Sequence, residues 1–292
     1  MRIFLFILFL PLFISVQASD TAEVYLLAGQ SNMQGIGKLK NLKDKPSFKR
    51  TFFWNGKEFE AMTPGKTKTS TRNGEFGPEM GFAHVLEASP GKKIYLIKFH
   101  ASGQPLHHGW DRYKWIGGKP APNRKNFYPG QSRSDNEAGL HYQSMRKIFD
   151  AALKSLKEQK VQYEVKGILW MQGEQDSKNE ISASEYGKSL RLLKKRLQED
   201  LNSGEVPFIF GQVLPYEPAL KRFTHRHVIR QVMADADSRS GKDGAIPNVW
   251  MVSTDKMSLL KDKVHYSAEG QWLLGKAMAI TMLESLKKNA HK

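Results

Sequence analysis

The sequence predicts an α/β chain in which a parallel sheet carries helices on both faces. Two observations point there. Five short apolar runs (24–28, 94–99, 167–171, 207–213 and 248–253) are rich in Val, Ile, Leu, Phe or Trp and do not alternate with polar residues. Strands buried on both faces read this way, because neither side chain direction meets water. Between the runs lie segments of helical period, and strands alternating with helices build an open doubly covered sheet. A chain of 292 residues with 40% apolar and 25% charged content is globular and long enough for one large α/β domain.

Each helix has its own signal. Pro78 suits the first turn of a helix running to about Ala88. Met145, Phe149, Ala152 and Leu156 fall on one helical stripe. So do Tyr186, Leu190, Leu193, Leu197 and Leu201, with Lys, Arg and Glu on the other side. Leu273, Ala277, Ile280 and Leu283 trace the last helix. Two segments depart from the alternation. Residues 51–62 read as a hairpin, because Asn55-Gly56 separates Phe52-Phe53-Trp54 from Phe59. Residues 102–139 are rich in Gly, Pro, His, Trp and Tyr and have no period. Such a long loop after a strand serves as a binding wall or is a mere insertion.

The N-terminus bears on compartment. Arg2 precedes an apolar run that ends at Val16-Gln17-Ala18. One positive charge, a short apolar stretch and small residues form a signal peptide, residues 1–18, ahead of one domain over 19–292. The expected location is secreted or periplasmic. No later stretch is long and apolar enough to cross a bilayer. The chain has no cysteine, which excludes disulfides, thiolate metal sites and a Cys nucleophile. Its net charge of +16 first suggests a nucleic-acid partner. The basic residues are scattered along helix faces such as Lys188, Arg191, Lys194, Lys195 and Arg196, without interleaved aromatics. A solvated face accounts for them better than nucleic acid does.

Three sites carry candidate chemistry, each after a strand. The first run leads into Gly29-Gln30-Ser31-Asn32-Met33-Gln34-Gly35. A serine on a tight turn exposes its hydroxyl and leaves its own N–H free, as an acyl-transfer nucleophile requires. The third run ends in Trp170-Met171-Gln172-Gly173-Glu174-Gln175-Asp176. Near the C-terminus stands Asp262-Lys263-Val264-His265. An Asp and a His three apart can supply a base and the group that orients it. Each signal alone is weak; a Gly-flanked serine is usually just a turn former.

Together these residues resemble the SGNH-hydrolase superfamily, in its branch of sialate O-acetylesterase-like domains and family 6 carbohydrate esterases. Gly77-Pro78-Glu79-Met80-Gly81-Phe82-Ala83, Leu96-Ile97-Lys98-Phe99, Trp110 and Arg230-Gln231 extend the similarity over most of the chain. The resemblance implies a flavodoxin-like three-layer α/β/α sandwich with a five-stranded parallel sheet. It implies metal-free and cofactor-free removal of O-acetyl groups from a polysaccharide or sialic acid; the +16 charge suits an anionic polysaccharide. Ser31 would be the nucleophile and His265 the general base. Asp262 would orient His265, with Glu174 the alternative acid. The Ser31 N–H, the Gly77 N–H and the Gln172 side chain would form the oxyanion hole. Asn32, Gln104 and Trp110 are candidates for substrate contact, although Asn32 could instead hold the turn. Asp176 reads as structural. After the second strand, Ser102-Gly103-Gln104 replaces the branch's usual Gly-Gly-Thr or Gly-Gly-Ser, which bears on acceptor specificity.

Other functions are weighed against this one. A lipase or phospholipase of the same superfamily is the main rival, and it lacks an evident apolar lid here. A non-catalytic carbohydrate-binding protein is opposed by the presence of Ser31, Gln172, Asp262 and His265 together. His107-His108 and His225-Arg226-His227 invite a zinc reading, but adjacent histidines on a strand point apart and no H-E-x-x-H occurs. Trp54, Trp110, Tyr113 and Trp115 could stack on sugar rings or pack locally.

Overall fold

A computed structural model describes residues 21–43, 45–215 and 220–290. The expected signal peptide, residues 1–18, lies outside the described residues. In chain order the strands are β1 Ala22–Gly29, β2 Gly37–Lys38, β3 Thr51–Trp54, β4 Phe59–Ala61, β5 Glu75–Phe76, β6 Ile94–His100, β7 Trp110–Asp111, β8 Lys114–Trp115, β9 Tyr163–Met171, β10 Phe208–Gly211 and β11 Val249–Val252. The helices are α1 Ser31–Gln34, α2 Glu79–Glu87, α3 Leu140–Glu158, α4 Glu180–Ser184, α5 Tyr186–Leu201, α6 Arg226–Ala236 and α7 Ala268–Ala290.

The main sheet runs β11-β10-β9-β1-β6-β3-β4. The five apolar runs of the sequence are its β1, β6, β9, β10 and β11, all parallel. Taken alone they have the order of a flavodoxin-like sheet. The expectation of five strands falls short by two. β3 pairs parallel to β6, and β4 closes antiparallel on β3, so the Asn55-Gly56 hairpin extends the sheet to seven strands. The hairpin carries an apolar surface that must be covered. Phe53 and Trp54 are buried, and Phe52 stacks on Tyr95 of β6 at 5.0 Å.

Both faces of the sheet are covered. Tyr25 of β1 meets Phe82 of α2 edge to face at 5.1 Å. Tyr25 is in register with Gly167 of β9; Trp170, three residues further, points the opposite way and donates its indole N–H to Tyr186 of α5 at 3.0 Å. α2 packs on α7, and α3 on α5. The expected stripes of α3 and α5 are the faces they bury, apart from Leu201, which is half exposed. In α7 the stripe is a different one. Leu273, Ile280 and Leu283 stay exposed, while Leu274, Met278 and Met282 are buried. Apolar residues lie on two sides of this helix, so its period marks the helix without choosing its face.

β1 is the switch point of the sheet. Its neighbours are β6 on one side and β9 on the other, so the connections leave in opposite directions and open a crevice at its carboxyl end. Ser31, residues 102–104 and residues 172–176 all follow those three strand ends.

Candidate active site

The nucleophile turn depends on close backbone approach. Gly29 sits at φ +152°, and a Cβ there would lie 2.1 Å from the Met171 carbonyl oxygen of β9. Gly35, at φ +79°, ends α1; a Cβ there would lie 2.0 Å from the Gly77 Cα. Any side chain at either end would push Ser31 away from its neighbours.

Ser31, His265 and Asp262 form one continuous chain of hydrogen bonds. The Ser31 Oγ lies 2.9 Å from the His265 Nε2, and the His265 Nδ1 lies 2.6 Å from the Asp262 Oδ2. The Asp262 Oδ1 accepts the Val264 and His265 amides, both at 3.0 Å. Partial burial would raise the Asp262 pKa. Hydrogen bonds from the His265 amide, the His265 ring and the Val264 amide outweigh it and hold the carboxyl below its usual range. The loop itself is tied down by the Leu260 amide, which donates to the His265 carbonyl at 2.7 Å.

Glu174 is a carboxylate of another kind. It is 2% exposed and, among the described residues, makes no hydrogen bond or ion pair with His265; its Oε1 accepts the Asn32 amide group at 2.7 Å. Burial is the main cause that pushes its pKa up. Asn32 also donates to the Val264 carbonyl at 2.9 Å and accepts the Tyr266 amide at 3.2 Å. It therefore binds the residues on both sides of His265 to the residue after Ser31. Asn32 is 1% exposed, so it braces the turn rather than meeting substrate.

Four further expected roles do not match the geometry. The Gly77 amide donates to the Glu79 Oε1 at 2.9 Å, so it is already engaged. Glu79 is held there by Lys98, whose buried ammonium donates to the Glu79 Oε2 at 2.6 Å and to the Gln34 and Thr69 carbonyls at 2.8 Å. The Gln172 amide group donates to the Asp176 Oδ2 at 2.6 Å and the Gln104 carbonyl at 3.0 Å, and the residue is 0% exposed. Trp110 is buried, and its indole donates to the Ser182 hydroxyl at 3.0 Å. Gln104 is buried as well, with its amide group turned back to the Ser102 carbonyl. Asp176 is structural as expected: it accepts the Leu106 and His107 amides at 2.8 and 3.0 Å and so anchors the loop 102–139 to the end of β9. His107 stacks on His108, and the two rings bond Glu185 and the Gly118 carbonyl.

A cavity of about 240 Å³ opens over Ser31 and His265. Gln30, Ser102, Gly103, Tyr113, Glu174, Gln175, Lys178, Phe223 and Val264 complete its lining. Among the described residues, the Gln30 Oε1, Glu174 Oε2 and Gln175 Nε2 have no hydrogen-bond partner, and each belongs to a lining residue. Among the described residues the Ser31 and Gly103 amides likewise have no hydrogen-bond acceptor. Gly103 is the lining residue that sequence reasoning passed over in favour of Gly77. Its signal was topological: it follows β6, the neighbour of β1. Phe223 and Lys178 had no signal, since only the fold brings α6's approach and the end of β9 together.

A serine, a histidine and an aspartate in hydrogen-bonded series at the switch point of a flavodoxin-like sheet define a class, the hydrolases of the SGNH type. Comparison with known proteins narrows it. Residues 21–284 match the family model of the carbohydrate esterase, sialic acid-specific acetylesterase domain, and the chain belongs to that family of carboxylic ester hydrolases. It is 22% identical over 276 residues to a probable carbohydrate esterase of Arabidopsis thaliana, covering 90% of this chain and 91% of that one. The crystal structure of that Arabidopsis protein superposes with a TM-score of 0.64 at 20% identity, over 90% of this chain and 98% of that chain. The crystal structure of NanS gives 0.61 at 15% identity, over 92% and 99%. A carbohydrate acetylesterase from Xanthomonas citri gives 0.55 at 17% identity, over 91% of this chain and 57% of the other.

Proposed function

We propose that this chain is an exported serine esterase that removes O-acetyl groups from carbohydrates through Ser31, His265 and Asp262. The observation that carries the reading is the unbroken Ser31–His265–Asp262 series opening into a small cavity. The Ser31 Oγ attacks the acetyl carbonyl carbon while His265 Nε2 takes the hydroxyl proton. Asp262 keeps the imidazole in one tautomer and stabilises its charged form without taking the proton. The tetrahedral intermediate expels the sugar oxygen, which receives the proton from His265. Water then repeats the sequence on the acetyl-enzyme and releases acetate.

The Ser31 and Gly103 amides are the donors best placed for the oxyanion, since both residues line the cavity and neither amide is engaged among the described residues. Each such donor is typically worth about 2.7–4 kcal/mol. A cavity of 240 Å³ falls below the roughly 300–1,000 Å³ of drug-sized sites. It suits an acetyl group better than a fatty chain. Among the described residues no helix is long and apolar enough to cross a membrane.

The direct test is acetate release from acetylated xylan, acetylated pectin and O-acetyl sialic acid by wild type and Ser31→Ala. Wild type should release acetate from at least one of them, and the variant from none. Release by Ser31→Ala would overturn the nucleophile. Export is tested by sequencing the N-terminus of protein recovered outside the cytoplasm, which should begin near Ser19 or Asp20.

A further inference from the structure

A second cavity, about 460 Å³, lies beside the nucleophile turn, lined by Lys38, Lys40, Lys45 and Arg72 together with Leu39, Asn73, Gly74 and Glu75. Resting on the carbohydrate-esterase reading, we propose that this basic cleft binds the carboxylates of an acidic polysaccharide whose acetyl ester reaches Ser31.

The cleft is built from two loops that the fold brings together. β2 pairs antiparallel with β5, and the Leu39 amide donates to the Gly74 carbonyl at 2.9 Å. Residues 38–45 and 66–75 carry seven lysines and arginines against Asp44 and Glu75. Four like charges lining one cleft, with Glu75 the one carboxylate of that lining, repel unless an anion intervenes. Elsewhere the lysines often have acidic neighbours: Lys154, Lys166, Lys188, Lys194 and Lys195 each pair with a glutamate. Among the described residues Lys38, Lys40 and Lys45 form no ion pair, and Arg72 has only Glu75 at 3.8 Å.

The cleft is joined to the catalytic cavity by three side chains. The Gln34 amide group donates to the Thr71 hydroxyl at 3.0 Å, and its Oε1 accepts the Ser102 hydroxyl at 2.6 Å. Ser102 lines the Ser31 cavity, and Thr71 precedes Arg72 of the cleft. Seven residues separate Ser31 from Lys38, so the two sites lie within about 25 Å by chain reach. One polymer chain can therefore present an ester to Ser31 while its next acidic sugars meet the cleft.

The lining favours a polysaccharide over other polyanions. It holds no aromatic residue, and single-stranded nucleic acid is gripped largely by stacking on aromatic rings. Its one apolar residue, Leu39, is buried, so nothing apolar projects to enter a lipid surface.

The test measures binding of the full chain to unacetylated polygalacturonate. Wild type should bind, with an affinity that falls as salt rises. Lys38→Gln, Lys40→Gln, Lys45→Gln and Arg72→Gln combined should lose about tenfold or more. A control removing equal charge elsewhere, Lys147→Gln, Lys157→Gln, Lys242→Gln and Lys287→Gln combined, should stay within about twofold. If the first combination does not fold, Lys40→Gln with Lys45→Gln should still weaken binding about threefold. The proposal is overturned if the cleft variants bind as wild type does or if the control loses as much. Equal affinity for neutral xylan, duplex DNA or phosphatidylserine vesicles also overturns it. Hydrolysis of p-nitrophenyl acetate by Ser31→Ala tests the esterase reading separately, so either conclusion can fail without the other.

Discussion

The two sides of the catalytic cavity hold their carboxylates in opposite ways. On the inner side Glu174 sits at the end of β9, 2% exposed, bonded to Asn32, with its ionised form disfavoured by burial. On the outer side Asp262 rides a surface loop, its side chain 43% exposed, with its ionised form favoured by two amides and the His265 ring. The inner carboxylate fixes the frame, and the outer one serves the histidine. A buried acid positions well because it cannot move. It is a poor partner for a charging imidazole because its own charge is costly there.

The largest effect that would break this contrast is at the centre. Ser31→Ala should lower kcat for p-nitrophenyl acetate by roughly 10⁶ while the thermal transition stays unchanged, if the triad acts as a unit. Asp262→Asn should cost roughly 10⁴ in kcat, because the imidazole loses the acceptor that sets its tautomer. Glu174→Gln should cost far less, since a glutamine oxygen can still accept from Asn32. Steady-state kinetics on the two variants decide the assignment; a larger loss at Glu174 would reverse it.

Behind the turn, Lys98→Met should destabilise the fold by about 3–5 kcal/mol, because Glu79 is left buried without its partner. Urea denaturation reads this directly. The smallest effect is in the pH dependence of stability. Asp262 has a lowered pKa in the fold, so its contribution is present above its ordinary 3.8 and lost as pH falls through the folded value. Glu174 has a raised pKa, so its contribution is present below 4.5 and lost as pH rises through the folded value. Melting curves should therefore show the Asp262→Asn penalty shrinking in acid. Glu174→Gln should gain on wild type as pH rises from 4.5 towards neutral.

Much of the site was legible because motif spacing reports chain order. Ser31, Asp262 and His265 stand where a turn after the first strand and a loop before the last helix put them. The oxyanion donors were not legible. Gly77 and Gln172 sit in motif blocks, yet their donors are taken by Glu79, Asp176 and the Gln104 carbonyl. Which of several polar groups faces a cavity depends on partners far away in sequence. Trp110 fails for the same reason: Ser182, 72 residues distant, takes its indole proton.

The sequence by itself determined the five parallel strands, the hairpin at Asn55-Gly56 and the three segments that carry the chemistry. Period and turn residues are local properties, and local properties need no partner to be read. Only the tertiary structure decided that the hairpin joins the sheet, that α7 buries Leu274 rather than Leu273, and that Asp262 rather than Glu174 bonds His265. Each of those is a choice between surfaces of similar chemistry. Such choices are settled by which groups can be desolvated and bonded together, and that requires the whole fold.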